Sequence, residues 1–240
     1  MNRIQLSACA LLIAGPLVAQ PIAGTTRSTD VRNPFAQAGL RTPTDTLVPP
    51  GFLAGSAYVV HTAGSDGEDG YVMGTNVYGD EEKAQGFEGS GTVNVEFILA
   101  MIGVKHGTSA LVFHVRAADG PGVTADDENV NDAPGTSLGS ASIGLGAIGT
   151  TDLNSIALPS PVPVSGKFYL SMNMSALYAQ NDTVCLMSTT VDHEGTDPNA
   201  AWELGADGTW SACDRRWVDG QSDLALFAVI DDGSVGVGTA

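Results

Sequence analysis

From Lys167 onward the residues alternate strictly: Phe168, Leu170, Met172 and Met174 point one way, Tyr169, Ser171, Asn173 and Ser175 the other. A period of two is that of a half-buried strand. Just before it stand Pro159, Pro161 and Pro163. Each lacks an amide donor, which confines this arm to a sheet edge or a corner, and Gly166 permits a turn into the strand. The same period runs through 92–99, with Val93, Val95, Phe97 and Leu99 inward, and through 111–116, with Leu111, Phe113 and Val115 inward. The polar turn at 105–108 predicts that these two form a hairpin. Residues 58–62, 71–78, 140–148, 153–158 and 183–190 read as further strands, and a hairpin is expected around 205–208. Residues 224–230 are apolar on both faces and read as a central strand.

About ten short strands, parted by Gly, Pro and Asp and without a strong amphipathic helix, predict an all-β fold: a two-sheet antiparallel, jelly-roll-like β-sandwich in one domain over 56–232. The opening has an early Arg3, an apolar run and small residues near Ala19, which reads as a secretory signal peptide at 1–19. Residues 20–55 are rich in Thr, Pro, Ala and Gly and read as an extended arm or linker, and 233–240 as a flexible tail. No segment has the long apolar run of a membrane span.

The chain carries 10 Lys plus Arg against 27 Asp plus Glu. Without the leader the balance is nine against 27, a net charge of −18. Nucleic acid is excluded as a partner, because phosphate binding needs a basic face. Such acidity suits an extracellular protein that meets divalent cations. Removing the leader leaves Cys185 and Cys213. In an oxidising compartment the pair reads as a disulfide closing a loop of about 29 residues, with two buried thiols as the alternative.

The longest break in periodicity spans 119–139, a length usually functional in a compact domain. Asp119, Asp126, Asp127, Glu128, Asn129 and Asp132 offer many hard oxygens there, as calcium requires, with Gly120 and Gly122 for sharp turns. A solvated acidic loop is the alternative. Asp66, Glu68 and Asp69 form a second, weaker acidic group. Trp202, Trp210 and Trp217 lie close in sequence, either as flat faces for a sugar ligand or as core filling.

Enzyme-like strings fail on context. Residues 135–139 match the nucleophile-elbow pattern around Ser137, but a loop enters and a strand leaves where a strand and a helix are needed. Residues 144–149 match a dinucleotide fingerprint without a βαβ unit around them. His61, His106, His114 and His193 are scattered, so zinc is not indicated.

Three groups of residues carry a resemblance. Tyr78-Gly79-Asp80 with 83–87, then 161–169, then Ala201-Trp202-Glu203 with Asp207-Gly208-Thr209-Trp210, resemble the jelly-roll modules of secreted and cell-surface proteins of Bacteroidota. The likeness covers 57–231 and implies a jelly-roll fold, with no implied ligand. Relatives of this kind end in a sorting domain for the type IX secretion route, and this chain stops at Ala240 without one.

These observations predict a secreted, non-catalytic binding module at the extracellular or outer cell surface of a Gram-negative bacterium, with polysaccharide as candidate ligand and calcium as candidate cofactor. Two alternatives stand beside it. One is a self-associating structural subunit of an extracellular fibre, built by strand addition from 20–55 or 233–240. The other is a glycoside hydrolase on the same scaffold.

Overall fold

A computed structural model describes residues 20–27, 46–53, 55, 57–64, 67–190, 199–218 and 221–231. The leader, part of the 20–55 arm, Asp66, His193 and the 233–240 tail lie outside these described residues. The architecture is the all-β, jelly-roll-like sandwich that the alternation predicts, and it is organised by two long strands. These are β4 (Glu82–His106) and β9 (Leu153–Asn173). They pair antiparallel from Glu82 opposite Asn173 to Met101 opposite Leu153.

That ladder is interrupted twice. Register shifts between Glu88 and Thr92, beside Gly91 (φ 140°) and opposite Gly166 (φ 67°), a backbone conformation that a side chain would strain. It shifts again between Val95 and Phe97, where the proline-bearing 158–161 stretch bulges past Glu96. Proline costs nothing at such a bulge, since no ladder bond is lost there. The arm expected at a corner is therefore the corner.

On one side of the bend, the first part of β4 and the last part of β9 lie inside a wide sheet. Its other members are β5 (Ala110–Ala117), β6 (Gly120–Val123), β7 (Val130–Ala133), β8 (Ser137–Gly144), β11 (Ala201–Leu204) and β12 (Trp210–Ala212). The order is β7-β6-β12-β11-β4-β9-β5-β8. Beyond the bend, β4 pairs with β14 (Leu226–Asp231) and β10 (Thr183–Leu186), and β14 with β2 (Thr46–Leu47). The expected hairpin at 205–208 is present, with Trp202 opposite Ala212.

Four features differ from the sequence reading. The 92–99 and 111–116 segments are not a hairpin, because β9 inserts between β4 and β5 and bonds to both. Residues 71–78 form turns and isolated bridges, with Gly74 seated so close to Val184 and Cys185 that no side chain fits. Two pairings are parallel, β12 with β6 and β1 (Gln20–Arg27) with β13 (Trp217–Val218). Part of the arm is strand as well: β1 pairs antiparallel with β3 (Val59–Ala63), and β2 docks on β14.

The main core holds Phe168, Leu170 and Met172 of β9 beside Leu111, Phe113 and Val115 of the paired β5, together with the apolar β14. Residues 226–230 of β14 are all buried, as a central strand requires. The opposite face of β9 is covered too. Tyr169 packs with Ala84, Ala133, Trp202, Trp210 and Ala212 in a second, smaller core beneath the β6–β7 segment. Alternation thus sorts residues 168–172 of β9 between two cores and leaves neither face of that part to solvent, whereas over 155–165 every second residue is exposed.

Buried polar side chains are threaded through the main core. His61 is 1% exposed and its Nε2 meets the Thr189 carbonyl at 3.0 Å. Burial holds its imidazole below the ordinary value of 6.5, and the Thr189 bond opposes this only in part. A depressed folded-state pKa means that the unfolded chain takes up the proton first. The stability contributed by neutral His61 is therefore present above about pH 6.5 and lost as pH falls below it.

Two outcomes are expected. The urea midpoint falls between about pH 7.5 and 5.5, and His61→Gln, which keeps a donor for Thr189, flattens the fall, leaving the smaller slope from His114, also held low by burial. Phe168→Ala, which removes a buried ring stacked on Phe87 at 5.5 Å, lowers stability by about 3–5 kcal/mol, whereas Leu53→Ala, 72% exposed, changes it by less than about 0.5 kcal/mol. Chemical denaturation measures both.

Candidate functional site

A cavity of about 510 Å³ opens where the β4–β9 ladder bends. That volume lies in the range of small-ligand sites. Its floor is Phe87 of β4, and Val48, from the segment after β2, is another apolar wall. Val130 and Asp132, from the long 119–139 segment, line it together with Lys167 and Asn199. The lining is therefore an apolar base with charged and amide groups around it.

The charged groups are held by the strands themselves. Lys167 Nζ donates to Asp132 Oδ2 at 2.7 Å and lies 5.5 Å from the centre of the Tyr169 ring. The Tyr169 hydroxyl donates to the Asp132 carbonyl at 2.7 Å, which pins the loop to β9. Burial pushes the Tyr169 phenol up to about 12, so it stays a donor at any physiological pH. Burial opposes the charge on Lys167, but its contacts with Asp132 and Tyr169 together outweigh this and raise its pKa.

Beneath the cavity, β4 carries a polar network on each face. On the outer face Glu82 is fully buried and takes Arg116 in a two-pronged bond, Nε to Oε1 at 2.7 Å and Nη2 to Oε2 at 2.8 Å. Ser171 Oγ also donates to Glu82, Asn173 Nδ2 donates at 3.0 Å, and Arg116 stacks at 5.7 Å from the Trp210 ring. Each acceptor site on this carboxylate is used, the condition under which a buried charge is tolerated.

On the inner face Lys83 is fully buried, with its Nζ 2.7 Å from Asp80 Oδ2 and 2.6 Å from Glu203 Oε2. Asn76 Nδ2 donates to Asp80 at 2.7 Å, Trp217 Nε1 donates to Glu203 Oε2 at 2.7 Å, and Arg216 Nε lies 3.0 Å from Glu203 Oε1. Two cations meet two anions, so the group is neutral as a whole. Burial alone would depress the Lys83 amine, but the flanking Asp80 and Glu203 raise it well above its ordinary value. Burial raises Glu203 more than Lys83 lowers it, while Lys83, Asn76 and Arg216 together hold Asp80 below the ordinary carboxylate value despite its burial.

The structure places the residues singled out from the sequence as follows. Trp202, Trp210 and Trp217 are all buried and are core, not a sugar platform. Trp202 packs edge-on to Tyr169 and donates to the Asn199 carbonyl at 2.7 Å, and Trp217 packs edge-on to Tyr78. Their flat faces are spent inside the protein. Cys185 and Cys213 are free, buried thiols, so the expected bridge is absent. Cys185 in β10 is tied to the last residues of β4, whereas Cys213 follows β12, which β11 ties to the first. Burial pushes the Cys185 thiol up to about 12 and raises Cys213 well above its ordinary value, which makes both inert.

The acidic loop is not gathered around one point. Asp119 accepts from the Thr136 amide and hydroxyl, Asp127 from the Asn129 amide at 2.8 Å, Glu128 pairs with Arg215 at 2.7 Å, and Asp132 pairs with Lys167. Asp126 is exposed. Among the described residues no group of three or more His, Cys, Asp or Glu is placed to hold a metal ion. His114 Nδ1 lies 2.9 Å from Ser137 Oγ across β5 and β8, with His114 half-buried and Ser137 exposed, and residues 145–147 are a single 3-10 turn.

Sequence reasoning missed Lys83, Glu203 and Lys167 as site residues. A signal was present for the first. Lys83 shares its face of β4 with Gln85 and Phe87, an inward register in which a lysine needs buried partners.

No protein-family model matches the chain, and no curated protein matches it. Among solved structures it is similar to the cysteine protease and lectin-like domains of Cwp84, a surface-layer-associated protein of Clostridium difficile, at 10% identity and a TM-score of 0.46. The match covers 80% of this chain and 37% of that one, so it spans well under half the length of that protein.

Proposed function

We propose that this chain is a secreted, non-catalytic binding module of the cell exterior, and that its ligand is a carbohydrate seated in the cavity at the β4–β9 bend. The observation that carries this reading is the lining. The apolar side chains of Phe87 and Val130 in the lining suit the carbon face of a sugar, and Lys167, Asp132 and Asn199 supply donors and acceptors beside them. The leader-like opening and the acidic composition fit an extracellular location, and no helix among the described residues is long and apolar enough to cross a membrane.

A glycan array probed with the mature protein is the test. Retention of one polysaccharide class is expected, and Lys167→Ala weakens it by about tenfold or more, the loss from one charge-assisted hydrogen bond. Lys167 is partly exposed and its ion pair lies at the surface, so the melting temperature barely moves. Retention of no glycan, or equal retention by the variant, overturns the assignment.

A second reading, self-assembly by strand addition, is favoured by one observation. β8 ends the wide sheet, and its sequence SLGSASIG has no charge and no proline to protect its outer edge. Natural edges usually carry such protection. On this reading the protein forms oligomers by light scattering, and Ser140→Lys, which charges the edge, returns it to monomers. Assembly unchanged by that substitution rejects strand addition at β8.

A further inference from the structure

Residues from two distant stretches, Asp80 and Lys83 from one and Glu203 from the other, converge at one buried point. A fully buried lysine held only as an ion pair is costly, because desolvation of both charges offsets their attraction. Lys83 and Glu203 are also directly opposite each other in the β4–β11 ladder, with both side chains on the inner face. Their contact is fixed by backbone register as well as by side-chain rotamer.

We propose that Lys83 and Glu203 condense spontaneously into an intramolecular amide, with Asp80 as the proton carrier. The contacts favour a charged Lys83 and an ionised Asp80, so the reaction starts from the minor form in which one Nζ proton has passed to Asp80 Oδ2, 2.7 Å away; the freed lone pair then attacks Glu203 Cδ, whose Oε2 lies 2.6 Å from Nζ. Negative charge that builds on Oε2 is held by Trp217 Nε1–H at 2.7 Å. The new bond is N–C; the bond that breaks joins Cδ to Oε1. Oε1 leaves as water with two of the three ammonium protons, one of them returned by Asp80. The third stays on the amide nitrogen, nothing is oxidised or reduced, and Asp80 ends as it began.

Three features favour the product. Oε1, the departing atom, is the carboxylate oxygen for which no well-directed hydrogen bond is found, although Arg216 lies near it. Oε2 becomes the amide carbonyl and keeps its bond from Trp217, and the amide N–H retains Asp80 Oδ2 as acceptor. Arg216 and Asp80 remain as one cation and one anion, so neutrality is preserved. Amide formation between free groups in water is unfavourable, but fixed neighbours in a dry core react as if at very high concentration.

The test is the intact mass of the mature chain, denatured and reduced, followed by a tryptic map. A deficit of one water, about 18 Da, is expected, with no cleavage after Lys83 and a branched peptide that joins the segments bearing Lys83 and Glu203. Asp80→Asn, which removes the proton carrier, retains the full mass. In Glu203→Gln the same attack expels ammonia, so its deficit is about 17 Da. A wild-type mass equal to that of its sequence, with normal cleavage after Lys83, overturns the proposal, and so does a water lost within 80–83. The wild-type map decides even where a variant fails to fold, and it is independent of any glycan result.

Discussion

The register between β4 and β9 is the constraint on which the rest depends. It sets which residues of each strand face the main core, and because the side-chain period is two, a slip of one residue would turn every one of them over. Phe168, Leu170 and Met172 would leave the core, and Lys83 would lose Glu203. The interruptions at Gly91 and at Glu96 protect this register, since a shifted pairing would put the glycine bend and the proline bulge opposite regular strand. Bending a single pair of strands across both layers also explains how the described residues, which include no long helix, enclose the main core.

That core is unusual in its polarity. Within a few residues β4 presents Lys83 and Gln85 inward and Glu82 outward, all fully buried. Gln85 Oε1 accepts from the Leu224 amide at 2.7 Å and its Nε2 donates to Asp223 at 3.3 Å, so the polar residues of β4 bond to β11, β9, β5 and the approach to β14. Replacing such groups by apolar ones of equal volume often costs little stability, so their contribution is specificity. A hydrophobic β4 would accept several neighbours and several registers. Lys83, Glu82 and Gln85 accept one.

How much of this is legible in the sequence depends on the range of the information. The alternation at 168–174, the Gly166 turn, the proline corner, the 205–208 hairpin and the doubly apolar 224–230 strand are local patterns, and each is found in the fold. Pairing partners are not local. Phe113 pairs with Met172, nearly sixty residues away, and nothing in the 105–108 turn says that a strand from so far along inserts between its arms. The tryptophans illustrate the same limit, because the composition of 199–218 is compatible with a platform or a core; the choice is made for Trp202 and Trp210 by packing with Ala133 and Val130 of β7, and for Trp217 by its place in the main core. The acidic loop looked like a cation site because its arginine and lysine partners, Arg215 and Lys167, come from elsewhere in the chain.

The cavity follows from the same geometry. A ladder that bends at Gly91 and Gly166 separates the strands on either side, and side chains at the bend cannot fill the gap without blocking the turn. The long segment after β5 crosses this gap and is held by Tyr169 to Asp132 and by Lys167 to Asp132, two bonds that belong to the alternating β9 strand. Lys167 and Asp132, one of the pairs that order the loop, thus also line the cavity. A ligand at Lys167 would compete for Asp132, and its binding would be coupled to the position of the loop by the loss or gain of one surface ion pair. Such a pair is worth at most about 1 kcal/mol, which allows the exchange without disturbing the fold.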